Sequence, residues 1–225
     1  MKGRLFNAFR VWSTKDVENS EQFQYNDGRV IVPYDKDRKK LTFFDTYVDM
    51  DGDIVRYDEI AVFQSEALDS ESMIAFYFSK SFSYKFAFTT YDGTVHVFKR
   101  FGYAAYGLGT YKRIKAEFDP VSNAMYNIVL RKVFERIYER IENGAAVKIC
   151  GLTFTKGKIA FEKRKQIISI DKDNFGIANV SNFSMNHQAQ IFLKGEKKPC
   201  FRVSLNEPNA RLIVPLANAL FAADT

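Results

Sequence analysis

DMDGDIVRYDEI, Asp49 to Ile60, sets acidic residues at Asp49, Asp51, Asp53, Asp58 and Glu59 around a single glycine. A helix–loop–helix calcium site needs oxygen ligands at alternating loop positions, a glycine at the sixth and a carboxylate at the twelfth. Counted from Asp49, the sixth position is Ile54 and the twelfth is Ile60, so the stretch fails as such a site. Asp51-Gly52 is instead the dipeptide of a two-residue hairpin turn, and the acids flank strands. No metal site and no cofactor are expected.

Composition agrees with a strand-rich chain. Among 225 residues there are 22 Phe and 12 Tyr against 5 Pro, and aromatic side chains suit a pleated, half-buried surface. Lys and Arg number 33 and Asp and Glu 27, for a net charge of +6. Residues 1–118 carry 17 basic and 17 acidic side chains, whereas residues 119–225 carry 16 and 10. An anionic partner would therefore meet the second half. Two cysteines, Cys150 and Cys200, fall in runs that read as strands; so few predict reduced thiols and an intracellular protein. The N-terminus, MKGRLFNAFRVWS, has no continuous apolar core and is not expected to be a signal peptide. The longest apolar run, Ala210 to Ala223, begins with an arginine, contains Pro215 and Asn218, and is short of the roughly 20 residues of a spanning helix. The expectation is a cytoplasmic protein that is not transmembrane.

One long amphipathic helix is predicted over Asp119 to Gly144, with Asp119 as cap, Pro120 in the first turn and Gly144 as stop. Val121, Met125, Ile128, Val133, Ile137 and Ile141 make its apolar face. Before it, strands are read near 30–33, 41–48, 54–57, 60–63, 73–78, 84–89 and 95–98. After it they are read near 147–154, 159–161, 167–170, 177–180, 190–193 and 201–205, followed by a helix over 207–221 that Pro215 should kink or restart. Each half runs strands first, helix last. LTFFDTYVDMDGDIVRYDEI (Leu41 to Ile60) aligns on LTFTKGKIAFEKRKQIISIDKD (Leu152 to Asp173), matching Ile54, Val55, Tyr57 and Asp58 with Ile167, Ile168, Ile170 and Asp171.

RYDEIAVF (Arg56 to Phe63), ENGAAVKICGLTFTKGKIAF (Glu142 to Phe161) and EPNARLIVPLANALF (Glu207 to Phe221) resemble the framework segments of bacterial tandem pleckstrin-homology-like (PH-like) proteins. Ile170 departs from that family's aromatic, and Pro215 from its last helix. The resemblance implies an α+β, mainly β fold. It would hold two PH-like units, each a bent antiparallel sheet or partly open barrel of about six to seven strands capped by a C-terminal helix. The implied division is an N-terminal extension over 1–26, a first unit over 27–143 ending in the helix 119–143, and a second over 144–225 ending in the helix 207–221.

Candidate chemistry is sparse. RFGYAAYGLGTYKR (Arg100 to Arg113) has glycines near cations, but Leu108 follows Gly107 where a phosphate loop needs lysine; it reads as a flexible connection. His96, His187 and Cys150 sit in no nucleophile or metal-protease motif, so no catalytic residue is assigned. SFSYKFAF (Ser81 to Phe88) resembles a nucleic-acid stacking strand in part, yet Phe82, Tyr84, Phe86 and Phe88 share one face, as a buried sheet face requires. Two basic loops are the anion- or lipid-binding candidates: Lys36, Arg38, Lys39 and Lys40 between the first two strands, and Lys163, Arg164 and Lys165 in a turn of the second unit. In some PH domains the first of these loops holds phosphoinositide headgroups. Leu5, Phe6, Phe9 and Trp12 read as one face of a short N-terminal helix that would dock on a membrane or a protein, with Leu5, Phe9 and Trp12 as interaction candidates, or would pack against its own domain. The expected function is a non-enzymatic interaction with a protein partner or an anionic membrane surface. A nucleic-acid-binding protein acting through the basic C-terminal half, or an enzyme with a dispersed site, is the alternative.

Overall fold

A computed structural model describes residues 24–26, 29–32, 41–74, 77–105, 108–183 and 186–221. The chain divides into two compact units between Leu130 and Arg131. Both hold antiparallel meanders and helix, so the fold is α+β with strands predominant.

The unit up to Leu130 holds two open sheets. The first runs β1 (Gln24–Asn26), β2 (Arg29–Val32), β3 (Leu41–Phe43), β4 (Tyr47–Met50) and β5 (Asp53–Arg56). The second runs β6 (Ile60–Ile74), β7 (Tyr77–Thr90), β8 (Val95–Ala105) and β9 (Leu108–Gly109). The opening hairpin is as expected. Met50 pairs with Asp53, Asp51 and Gly52 both have positive φ, and the Gly52 amide donates to Asp49 Oδ1 at 2.7 Å. Asp49 is thus a turn acceptor rather than a ligand. Residues 41–48, read as one strand, are a hairpin arm on each side of Phe44, whose carbonyl accepts from the Tyr57 hydroxyl at 2.8 Å. Residues 73–78, also read as one strand, span the β6–β7 hairpin end, where Ile74 pairs with Tyr77.

The core lies on one face of β7. Phe82, Tyr84, Phe86 and Phe88 are all buried, as period-two alternation requires. Phe63 from β6 meets Phe86 and Phe88 with ring centroids 6.3 and 5.6 Å apart, and Phe118 and Tyr126 close the cluster from the helical side.

Helix α1 (Tyr111–Ala124) starts eight residues before the expected Asp119, and Pro120 lies inside it. Proline removes an amide and crowds the preceding turn at a cost of about 3 kcal/mol, which is why the sequence reads as a start there. Tertiary contacts outweigh that cost. Tyr111, Ile114 and Val121 are buried, and Glu117 pairs with Arg100 of β8 in a setting where both side chains are only 10% exposed. A π-helical stretch, Met125–Leu130, leads into α2 (Arg131–Glu142), and Gly144 ends the helical run at φ 90°.

Of the Gly-rich segment read as a flexible connection, residues 100–105 and 108–109 are strand and residues 111–113 open α1. Gly102 in β8 approaches α1 so closely that a Cβ would lie 2.9 Å from Ile114 Cβ, and Gly109 adopts φ 126° over the Tyr103 carbonyl. Gly102 serves helix–sheet packing, and Gly109 the close approach of β9 to β8.

The unit from Arg131 opens with α2 and then runs two smaller meanders and a last helix. β10 (Val147–Ile149), β11 (Leu152–Thr155), β12 (Lys158–Lys163) and β13 (Gln166–Asp171) form one sheet; β14 (Phe175–Phe183), β15 (Asn186–Leu193) and β16 (Phe201–Ser204) form another. The run read as one strand over 147–154 is broken by a turn at Cys150-Gly151, both at positive φ. The last helix, expected from Glu207, is a 3₁₀ turn at Ala210–Leu212 followed by α3 (Ile213–Phe221). Pro215 falls in the first turn of α3, which begins after the 3₁₀ turn and where no amide is needed.

Candidate anion-binding surface

Lys163, Arg164 and Lys165 end the β12–β13 hairpin. Lys163 pairs with Gln166, leaving a two-residue turn in which Arg164 and Lys165 have φ of 53° and 66°. Two successive left-handed residues define the primed hairpin turn that matches strand twist, normally an Asn-Gly or Asp-Gly sequence. Each left-handed L-residue costs roughly 1–2 kcal/mol. Asp51-Gly52 occupies the aligned position in the first unit with a glycine; the second unit has two cations.

Packing brings a second basic segment to this turn. Phe161 of β12 stacks edge-on against Phe201 of β16, centroids 5.3 Å apart, and Lys163 Nζ donates to the Cys200 carbonyl at 3.1 Å. The β15–β16 loop, residues 194–200, therefore ends against the hairpin. Its Lys194, Lys197 and Lys198 are exposed, as are Lys163, Arg164 and Lys165. Lys198 lies two residues from Cys200, within about 8 Å by Cα spacing. Among the described residues, none of these six cations forms an ion pair; Glu162 and Glu196 are the acids of the two segments. Beside the turn, Ile167 is 80% exposed and sits opposite Glu162. Clustered unpaired cations beside an exposed apolar side chain attract anions without first breaking internal pairs.

Sequence reading found half of this surface. Lys197 and Lys198 were missed because some thirty residues separate them from Arg164; the KGEKKP run was the one available signal. The other basic candidates, Lys36, Arg38, Lys39 and Lys40, and the interaction candidates Leu5, Phe9 and Trp12 lie outside the described residues.

The titratable groups with shifted pKa values belong to other work. Burial raises Glu117, although Tyr84, Arg100 and Arg113 pull it down. Burial lowers Arg100 against the opposing pull of Glu117, and burial with Glu117 raises Tyr84 well above the usual phenol range. This cluster ties α1 to β7 and β8. His96, read as a strand residue, is one: its Nδ1 lies 2.8 Å from Asp53 Oδ1. Cys150, expected in a strand, is in the turn; burial and then Glu207 push its thiol up to about 11, so it is protonated and a poor nucleophile near neutral pH. Its thiol donates to the Pro208 carbonyl at 3.2 Å. Among the described residues no group of three or more metal-ligating side chains occurs, and no helix is long and apolar enough to cross a membrane.

The chain matches no family model, and no curated protein is significantly similar to it.

Proposed function

We propose that this protein is a non-enzymatic interaction module whose two units are PH-like, and that the unit from Arg131 docks on anionic membrane surfaces through Lys163, Arg164, Lys165, Lys197 and Lys198. The observation that carries the reading is the meeting of the β12–β13 turn with the β15–β16 loop, both basic and both without ion pairs among the described residues. Two further features support it. The turn holds cations in backbone positions that glycine or asparagine would occupy more easily, and Ile167 stands exposed beside them. Each cation near an anionic leaflet contributes about 1 kcal/mol, so a cluster of this size supports weak, reversible and salt-dependent association. The PH-like assignment rests on the repeated order of meander, meander and helix, and on the buried correspondence of Leu41, Phe43 and Tyr57 with Leu152, Phe154 and Ile170.

The test is co-sedimentation with phosphatidylcholine vesicles, with and without phosphatidylserine, at low and high salt. Binding only to the anionic vesicles, abolished by salt and by Arg164→Glu with Lys198→Glu, is the expected result. Absence of binding to anionic vesicles at low salt would sink the reading. Tighter binding to single-stranded RNA, lost in the same variants, would move the surface to a nucleic-acid partner.

A further inference from the structure

A second surface lies in the unit up to Leu130. The sheet order is β6-β7-β8-β9, which leaves β6 at an edge. Its far half is unusually bare. From Ala67 to Met73 every side chain is exposed, and among the described residues no strand or loop hydrogen-bonds to the outer side of Glu66–Met73. A strand edge of this length presents a row of unpaired amides and carbonyls that another extended segment can complete.

The side chains decide what kind of segment fits. Glu66, Asp69 and Glu71 lie along the edge, and no cation does. Lys85 and Gln64 share Glu66 Oε1, Lys80 reaches Glu71 Oε1, and Tyr111 and Lys115 take Asp69. The second carboxylate oxygens of Glu66 and Glu71 have no hydrogen bond among the described residues. A second copy of this chain is a poor occupant. Two-fold antiparallel pairing centred on Asp69, Ser70 or Glu71, the registers that use most of the edge, sets Asp69 against Asp69, Asp69 against Glu71, or Glu71 against Glu71. Like charges directly opposite one another destabilise a strand pair. A partner strand with cations at alternate positions places them beside Asp69 and Glu71 on one face, and Leu68 (63% exposed) and Met73 (74% exposed) offer it apolar contact.

We infer that Glu66–Met73 is a docking strand for an extended, basic segment of another protein, which adds to the sheet beside β6. Main-chain bonds supply the attachment, and the carboxylates of Asp69 and Glu71, which share one face, select for lysine or arginine.

The experiment uses the full chain and two fluorescent probes, a capped alternating Thr-Lys octapeptide and its Thr-Glu counterpart. Anisotropy should report binding of the Thr-Lys peptide alone. Hydrogen–deuterium exchange should slow at residues 66–73 when it is added, because strand addition protects backbone amides and loose ion pairing does not. Glu71→Lys should weaken binding several-fold. Binding without protection at 66–73, no binding at low salt, or protection of 66–73 arising from self-association without peptide would each overturn the inference. Exchange is read on the unaltered protein, so a variant that folds poorly leaves the test standing, and vesicle binding by the other unit is measured independently.

Discussion

At Arg164 and Lys165 the hairpin turn works against its own backbone preference, since φ values of 53° and 66° suit Asn-Gly better than two long side chains. Replacing the pair by Asn-Gly should therefore stabilise the unit by about 1–2 kcal/mol in urea denaturation, while reducing sedimentation with anionic vesicles. A fall in both quantities would mean that the cations hold the turn together. Gly102 gives the opposite case. Alanine there would press on Ile114, and overpacking of this kind costs about 1–3 kcal/mol, to be read as a lower denaturation midpoint. Asp51-Gly52 was legible because a turn dipeptide acts on its own backbone. The role of Gly102 was not, because its cause is a side chain on a different element.

Among the elements, α1 shows how tertiary contact overrides a local signal. Pro120 reads as a helix start, yet the helix begins at Tyr111 because Tyr111, Ile114 and Glu117 have partners on the sheet. Asp69 belongs to the same attachment. Burial pushes its carboxyl up, but bonds to Lys115 and Tyr111 and the lysine charges more than offset this, leaving it below its usual value. A depressed carboxyl stabilises the fold above its unfolded pKa, about 3.9, and that contribution is lost as pH falls through the lower folded value. Glu117, raised by burial, has the opposite slope: its contribution is present at low pH and lost as pH rises through its folded value. Urea midpoints measured between neutral and strongly acidic pH should accordingly fall less steeply for Asp69→Asn than for the unaltered chain. An unchanged slope would remove Asp69 from the attachment. Asp69 is 38% exposed, so solvent screening keeps the effect modest.

Across the whole molecule, the same plan appears twice. Phe43 and Phe154 occupy aligned, fully buried positions, so truncation of either to alanine should cost about 3–5 kcal/mol by chemical denaturation, with the two losses alike in size. A surface-like loss at one position would show that the alignment is of sequence only. By itself the sequence determined the strand-rich class, the Asp51-Gly52 turn, the buried face of SFSYKFAF and the order of strands before helix in each half. Those follow from turn chemistry and period-two or helical spacing, which act within a few neighbouring residues. Only the tertiary structure decided where α1 begins, that Gly102 and Gly109 lie in strands, that β6 runs on to a bare edge, and that Lys197 and Lys198 join Arg164. Each of these depends on groups distant in sequence meeting in space, through the Arg100–Glu117 pair, the Gly102 contact or the Phe161–Phe201 stack, and no local pattern encodes such a meeting.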